Sequence, residues 1–484
     1  MQNHTLLWFR LDLRLADNAA LQAALATGLP VLPVFILDDD AAGTWAAGGA
    51  ARWWLHQSLV ALDKDLRARG SRLLFYKGCA AEILPELCRK YRIESAFWNR
   101  RYESWAQKRD TEIKKTLKDS GVKAESFSGY LLFEPWEIKN ASGAPYRVFT
   151  PFSKACMAQE RETGGGLFAA PEKMAIPEKW PEDHGVDALG LMPRIKWYGE
   201  MQNVWLPGES GALRRWRHFL DGGVTLYGEN RDLPAEDGVS RLSPHLHWGE
   251  IAPARLRYDL AQKSAKEPQN HGRYFAFLRQ ILWREFSWHL LYHMPDLPEN
   301  PLNPAFSRMD WENNTALLQK WQKGLTGYPL VDAGMRQLWR TGWMHNRVRM
   351  IAASFLIKDL LIDWRKGQEW FWETLVDADL ANNAAGWQWV AGCGADAAPY
   401  FRIFNPVLQS KKFDAKGAYI RQYVPELARM PDAHIHAPWQ ASAEVLAAAG
   451  VVLGRDYPFP VVDHAVARNR ALEIYQKRVK GGAA

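Results

Sequence analysis

Five short apolar runs, separated by helix-length amphipathic stretches, fill the first 133 residues, and this alternation limits the fold more than any other feature of the chain. The runs are TLLWFR (5–10), VLPVFIL (31–37), RLLFYKG (72–78), SAFWNRR (95–101) and SFSGYLLF (126–133). Each is close to continuously apolar, the pattern of strands covered on both faces. The stretches between them, 51–69, 80–91 and 104–119, carry helical spacing. Strand–helix alternation of this kind predicts an α/β unit over residues 1–133, built on a parallel sheet. Neither GxGxxG nor GxxxxGK[ST] occurs, so no dinucleotide or nucleoside triphosphate site is predicted in it.

The texture then changes. Between 134 and 208 a glycine triplet (164–166) and Pro171, Pro177, Pro181, Pro193 and Pro207 predict a linker running over the surface. From 209 onward strand signals nearly vanish. ALRRWRHFL, HGRYFAFLRQILWREFSWHLLYH, LVDAGMRQLWRTG, HNRVRMIAASFLIKDLLIDWRKG and EWFWETLVDADL all repeat at helical spacing. An all-α unit is predicted over 209–475, followed by a short basic tail, 476–484. At 484 residues, two cores rather than one are expected.

Composition excludes several classes. The four cysteines are scattered without CxxC or Cys/His spacing, so neither a disulfide framework nor a metal site is expected. No apolar stretch approaches the ~18 residues of a membrane span, and the N-terminus lacks the layout of a secretory signal. A cytoplasmic, membrane-free protein is the expectation, and a monomer. The 61 basic and 54 acidic residues leave a net charge of +7. That mild excess suits a polyanionic partner only if it gathers on one face.

Tryptophan is the unusual component: 24 in all, eleven of them between Trp283 and Trp389. Around them lie three polar constellations. Asp377, Asp379, Asn382, Asn383 and Gln388 accompany Trp387 and Trp389 in an Ala- and Gly-rich segment, where small residues let a large group approach the backbone. Asn346, Arg349 and Met350 share one helical face, as do Gln280, Trp283 and Arg284. Burying an unpaired arginine is costly, so such faces suit an anion or a planar ring better than a core. Val239, Ser240, Arg241, Leu242 and Ser243, followed by Pro244, form either a simple helix cap or a cradle for phosphate.

Taken together, five ordered motifs resemble the photolyase/cryptochrome family across essentially the whole chain. They are WFRLDLRLADN (8–18), SRLSPHL (240–246), RQILWREF (279–286), TGWMHNRVRM (341–350) and DADLANNAAGWQWVAGCGADAAPYFRIFNP (377–406). The resemblance implies a Rossmann-like N-terminal α/β domain with a parallel sheet, and an all-α helical C-terminal domain that binds folded FAD. It implies light-driven electron chemistry on UV-damaged DNA, foremost the splitting of cyclobutane pyrimidine dimers. A cryptochrome-like photoreceptor or a (6-4) photolyase would be the alternatives.

The resemblance also assigns residues. Tyr227 and Val239 to Ser243 match the phosphate cradle, with Val239 replacing the usual threonine. Phe277, Arg284 and Asn346 match further cofactor positions. Arg349 and Asp377 match an ion pair against the flavin, Asp379 a partner of its polar edge, and Asn383 the position facing N5. Trp387, Trp364 and Trp311 match an electron-carrying chain. Trp283 and Trp389 match aromatics flanking a flipped lesion. Arg231, Arg347, Arg402 and Gln409 match DNA contacts, to which Gln280 and Asn346 also belong, and Met350 fits the cyclobutane-dimer enzymes. Two departures stand out. Gln280 replaces a usual glutamate on the lesion. Ala106, Leu297 and Pro298 replace the residues of folate-binding members, so a second, antenna chromophore is left of unknown identity.

Overall fold

The computed structural model describes residues 2–159, 167–398 and 401–481. The glycine triplet 164–166, and Pro399 and Tyr400 of the longest motif, lie outside the described residues. Strands β1 (His4–Phe9), β2 (Val31–Leu37), β3 (Leu74–Lys77), β4 (Ile93–Asn99) and β5 (Lys123–Phe127) form one parallel sheet in the order β3-β2-β1-β4-β5. Parallel neighbours require crossover connections, and the helices Ala19–Ala26, Gly49–Arg67, Ala80–Lys90 and Ser104–Asp119 supply them. Pro33 sits inside β2, but β3 begins to pair only at Val34, so no ladder bond is lost on that side. Beyond the sheet the described residues are dominated by helices from Glu209–His218 to His464–Ile474. No helix among them is long and apolar enough to cross a membrane.

Three expectations are corrected. The fifth strand ends at Phe127, so most of SFSGYLLF is not strand. Residues 130–133 leave the sheet and enter the helical half, where Leu132 and Phe133 donate their backbone N–H groups to Glu285 (2.7 and 3.2 Å). Their apolarity serves packing between the halves. The linker contains a helix, Phe149–Ala158, which buries Phe149, Phe152 and Cys156. The helical unit does not end at 475. A π-turn, Tyr475–Lys480, continues the last helix, buries Val479, and accepts a hydrogen bond from Arg308 at the Arg478 carbonyl (3.0 Å).

One apolar cluster runs without a break from Leu7 and Phe9 of β1 to Phe277 and Leu380 of the helical half. A second fills the far side of the sheet, around Trp8, Trp98 and Ile113, and a third the interior of the helical half, around Trp321 and Trp387. The opening motif is the polar bolt between the halves. Arg14 is fully buried and donates to the carbonyls of Gly249 (2.8 Å), Gly129 (2.7 Å) and Asp17 (2.9 Å). Leu15 and Ala16 donate to Glu209 (2.7 and 3.0 Å), and Asn99 to Asp12 (2.6 Å). Gly249 (φ +66°) permits the contact, since a Cβ there would meet the Leu11 carbonyl at 2.0 Å.

Arg14→Ala would leave three buried carbonyls without their donor. Its unfolding free energy in urea is expected to fall by about 3 kcal/mol or more. A loss below about 1 kcal/mol would remove Arg14 from this role.

Candidate active site

Helix geometry gathers the predicted faces. The helix His271–His293 carries Gln280, Trp283 and Arg284; Asn346–Ser354 carries Asn346, Arg347, Arg349 and Met350; Leu380–Ala391 carries Asn383, Trp387 and Trp389. All ten line one cavity of about 620 Å³, together with Asp377, Asp379, Arg231 and Arg402. That volume lies within the ~300–1,000 Å³ of ordinary ligand pockets.

Asp379 is the cavity's most heavily bonded group. It caps the Leu380–Ala391 helix through Asn382 N–H (2.9 Å) and also accepts from the Asn382 amide (2.8 Å), Tyr130 Oη (2.9 Å) and Trp288 Nε1 (3.1 Å). His247 Nδ1 stands 3.6 Å away. Burial alone would push this carboxyl up, yet His247, Arg284 and the Asn382 N–H together hold it well below the usual carboxylate range. It is a fixed negative charge. Asp377 is likewise ionically paired, bound by Arg349 Nη2 (2.8 and 3.1 Å), whose Nε donates to the Met344 carbonyl (2.7 Å). Asn383 donates one amide hydrogen to the Gln368 carbonyl (3.1 Å), which fixes the amide at the cavity wall. Among the described residues no protein group bonds the Gln280 amide.

The two aromatics expected around a lesion stand on opposite anchors of one residue. Trp283 is stacked on Phe149 (3.7 Å between centroids, 7° between planes), and the Phe149 N–H donates to the Asp396 carboxylate (2.5 Å). Trp389 Nε1 donates to the Asp396 carbonyl (3.1 Å). Asp396 has φ +52°, a conformation that costs a non-glycine residue about 1 kcal/mol or more and is common at functional sites.

Tyr227, Phe277 and Val239 to Ser243 do not line this cavity. They form an adjoining region in which the Tyr227 and Phe277 rings meet edge to face (5.3 Å). Ser240 and Val239 present their carbonyls to Arg215 (2.9 and 3.2 Å), and Arg241 is left-handed (φ +50°). Trp343 joins this region to the cavity. Its Nε1 donates to Ser243 Oγ (3.3 Å), and Arg241 and Arg349 lie over its ring at 5.4 and 5.9 Å. Sequence reasoning missed both Trp343 and Phe149. Gln409 also lies outside the cavity lining, on the helix Pro406–Phe413, whose Phe413 ring carries the Arg347 guanidinium at 4.5 Å. Gln388, by contrast, is no site residue: fully buried, it donates to the Leu297 and Asn300 carbonyls (2.6 and 2.8 Å) and pins that loop.

Trp387, Trp364 and Trp311 lie on neighbouring elements of the helical half. Trp387 is buried against Gly367 of the helix Trp364–Thr374, one turn from buried Trp364. Glu312 N–H bonds the Leu361 carbonyl (2.9 Å), and Asp363 N–H bonds Asn313 (3.0 Å). These bonds lay the Trp311 segment alongside the start of that helix, with Trp311 itself partly exposed.

A parallel-sheet unit thus joins a helical unit that carries this cavity. The description "DNA photolyase" matches residues 5–174, and "FAD binding domain of DNA photolyase" matches 277–477. The chain belongs to the photolyase/cryptochrome family. It is 47% identical over 471 residues to a deoxyribodipyrimidine photo-lyase of Agrobacterium fabrum, covering 97% of each protein. It is 37% identical to cryptochrome-2 of Arabidopsis thaliana, across 97% of this chain and 78% of that one. A crystal structure of a bacterial class III photolyase from Agrobacterium tumefaciens superposes with a TM-score of 0.94 at 46% identity, covering 99% of this chain and 98% of that one.

Two outcomes check this geometry. A Cβ on Gly367 would meet the Trp387 ring at 2.0 Å. Gly367→Ala is expected to destabilise by about 1–3 kcal/mol and to slow light-driven flavin reduction, as transient absorption would read; unchanged kinetics would refute the contact. His345 caps the Asn346–Ser354 helix by accepting the Arg347 N–H (3.2 Å). Burial first, then Arg349, Arg241 and Arg347 against the opposing pull of Asp232, push its imidazole down to about 4. Its contribution is present above the unfolded value of ~6.5 and is lost as pH falls toward 4, by roughly 3 kcal/mol. His345→Asn keeps a cap that cannot be protonated, so denaturation curves should lose that part of the acid sensitivity. An identical pH dependence in the variant would contradict the assignment.

Proposed function

We propose that the chain is a light-driven DNA repair enzyme that splits cyclobutane pyrimidine dimers. The observation that carries this reading is one cavity walled by Trp283 and Trp389, with Arg231, Arg347 and Arg402 around it and the fixed Asp377 and Asp379 carboxylates within. Those groups fit FAD: Arg349 with Asp377 against a planar ring, Asp379 and Asn383 for its polar atoms, and Tyr227 with the Val239–Ser243 turn for its phosphates. The Nε atom of Arg241 at that turn is buried without a hydrogen bond and stands 3.5 Å from the Asp237 carboxylate, leaving a donor that a phosphate could take. When bound, FAD supplies the blue-light one-electron chemistry.

The chain's own residues do the rest. A dimer must leave the duplex before it can be reached, at a cost of a few kcal/mol that is least for damaged bases. Stacking on Trp283 and Trp389 offsets this by roughly 1–3 kcal/mol per base. The three arginines and Gln409 hold the flanking phosphates, Gln280 offers its amide to the lesion's carbonyls, and Met350 packs beside it. Trp387, Trp364 and Trp311 form the route by which an electron enters from the surface. The proposed setting is the cytoplasm, with the chain acting as a monomer.

A second cleft opens beyond the ends of β1 and β2, where Arg10 and Arg109 lie over Trp8 (4.5 and 4.9 Å) and Arg101 over Trp105 (4.7 Å). It measures about 100 Å³, well below the ~300 Å³ of small ligand pockets, so an antenna chromophore would enter only with movement of its walls. Ala106, Leu297 and Pro298 offer no side-chain hydrogen bond to a folate held in the usual mode. Ala106 and Leu297 are buried, and the Pro298 carbonyl is taken by Gln368 (2.9 Å).

Gln280 favours a second reading, a cryptochrome-like photoreceptor, because an amide cannot donate an acidic proton to the lesion. The deciding assay offers the reduced protein oligonucleotides bearing a cyclobutane dimer or a (6-4) product, in blue light and in darkness. Light-dependent loss of the cyclobutane dimer alone is expected; loss of neither lesion would leave the photoreceptor. Gln280→Glu should raise the yield per photon, and an equal yield would show that the amide serves as well.

A further inference from the structure

Lys358 is a charged side chain that the reading above does not use. It is 2% exposed and sits on the π-turn Phe355–Asp359, which continues the helix bearing Asn346, Arg347, Arg349 and Met350. Turns of this kind are rare within helices and cluster at functional sites. Its Nζ donates to the main-chain carbonyl of Arg402 and lies 4.7 Å from the centre of the Phe401 ring. One turn earlier, Ser354 Oγ accepts the Phe404 N–H (3.3 Å). The space between Lys358, Trp389 and Arg402 is only about 10 Å³, room for at most a single water. An apolar side chain of similar length would fill it without the cost of burying an ammonium. What the lysine adds is its hold on the Arg402 backbone.

We propose that Lys358 is a positioning residue for the lesion: by tying the Arg402 carbonyl to the catalytic helix it sets the Phe401–Phe404 segment on the cavity rim, and with it the Arg402 and Trp389 faces that meet DNA. This rests on the repair reading. The groups around the ammonium are Asp359 on its own turn, Arg402 on the rim and Cys393 at the end of the Leu380–Ala391 helix. Asp359 is itself engaged by His464 (2.5 Å), and its carbonyl by Arg470 (2.8 Å), both from the helix His464–Ile474. Burial pushes Lys358 down to about 7. The bond to Arg402 is therefore charge-assisted below neutrality and weaker above it, since charged donors bind about twice as strongly as neutral ones. Lesion affinity should fall as pH rises through that value.

The experiment measures dissociation constants for dimer-bearing and undamaged duplexes between about pH 6 and 8.5. It uses the flavin-loaded wild type, Lys358→Met and Lys358→Gln, with flavin content and thermal midpoint recorded for each. In wild type, lesion affinity is expected to weaken by about fivefold across the range, a component absent from Lys358→Gln. Lys358→Met should lose about tenfold for lesion DNA at pH 6 and less than about twofold for undamaged DNA. Its flavin content should be unchanged and its thermal midpoint equal or higher. The proposal is overturned if Lys358→Gln keeps the wild-type pH profile, or if Lys358→Met binds the lesion normally. It is also overturned if both DNAs and the flavin are lost together, the mark of a merely structural role. Should the Met variant not fold, the Gln comparison decides. A wild type without lesion preference would instead retire the repair reading.

Discussion

The carboxylate of Asp379 is where the molecule's separate pieces are made to agree. Tyr130 reaches it from the segment that leaves the sheet, Trp288 from the longest helix, His247 from the turn beside Gly249, and Asn382 from the helix it caps. A buried carboxylate is tolerable only when donors surround it, and here they come from four places in the chain. Satisfying that one charge therefore brings the α/β half, the Gln280-bearing helix and the Asn383-bearing helix into a single arrangement. The cavity is the space those elements leave. Arg349 and Asp377 repeat the principle on the next wall.

Paired charges also clarify how a chain with a net charge of only +7 can address DNA. Arg347 is bound to Asp232 (2.8 Å) and Arg349 to Asp377, so the rim is not a uniformly basic surface. Recognition in this account comes from a few directed arginines and two aromatic walls, with long-range attraction a modest term. Asp396 is central to those walls, holding the Phe149 side through its carboxylate and the Trp389 side through its carbonyl.

Much of this was legible in the sequence, for a physical reason. Strands buried on both faces carry few polar residues, so β1 to β4 stood out as apolar runs; helical spacing marked the faces that carry Gln280 and Arg349, and a polar, Ala- and Gly-rich segment marked Asn383. The same logic misled at 128–133, where apolar residues pack between the halves rather than across a sheet. Phe149 was hidden because an aromatic in a proline-rich linker looks like a spacer until its stacking partner is known. Trp343 was one tryptophan among many, and its role depends on Ser243, a hundred residues away. Gln388 erred the other way: lying among site residues, it spends its amide on the Leu297–Asn300 loop.

The claim beneath all of this is that the cavity is shaped for a folded flavin. It is tested most directly by the visible absorption of the purified chain and by the flavin it releases on denaturation. The account predicts on the order of one FAD per chain, tightly held until the protein unfolds. A colourless protein that also takes up no FAD when incubated with it would contradict the account at its root.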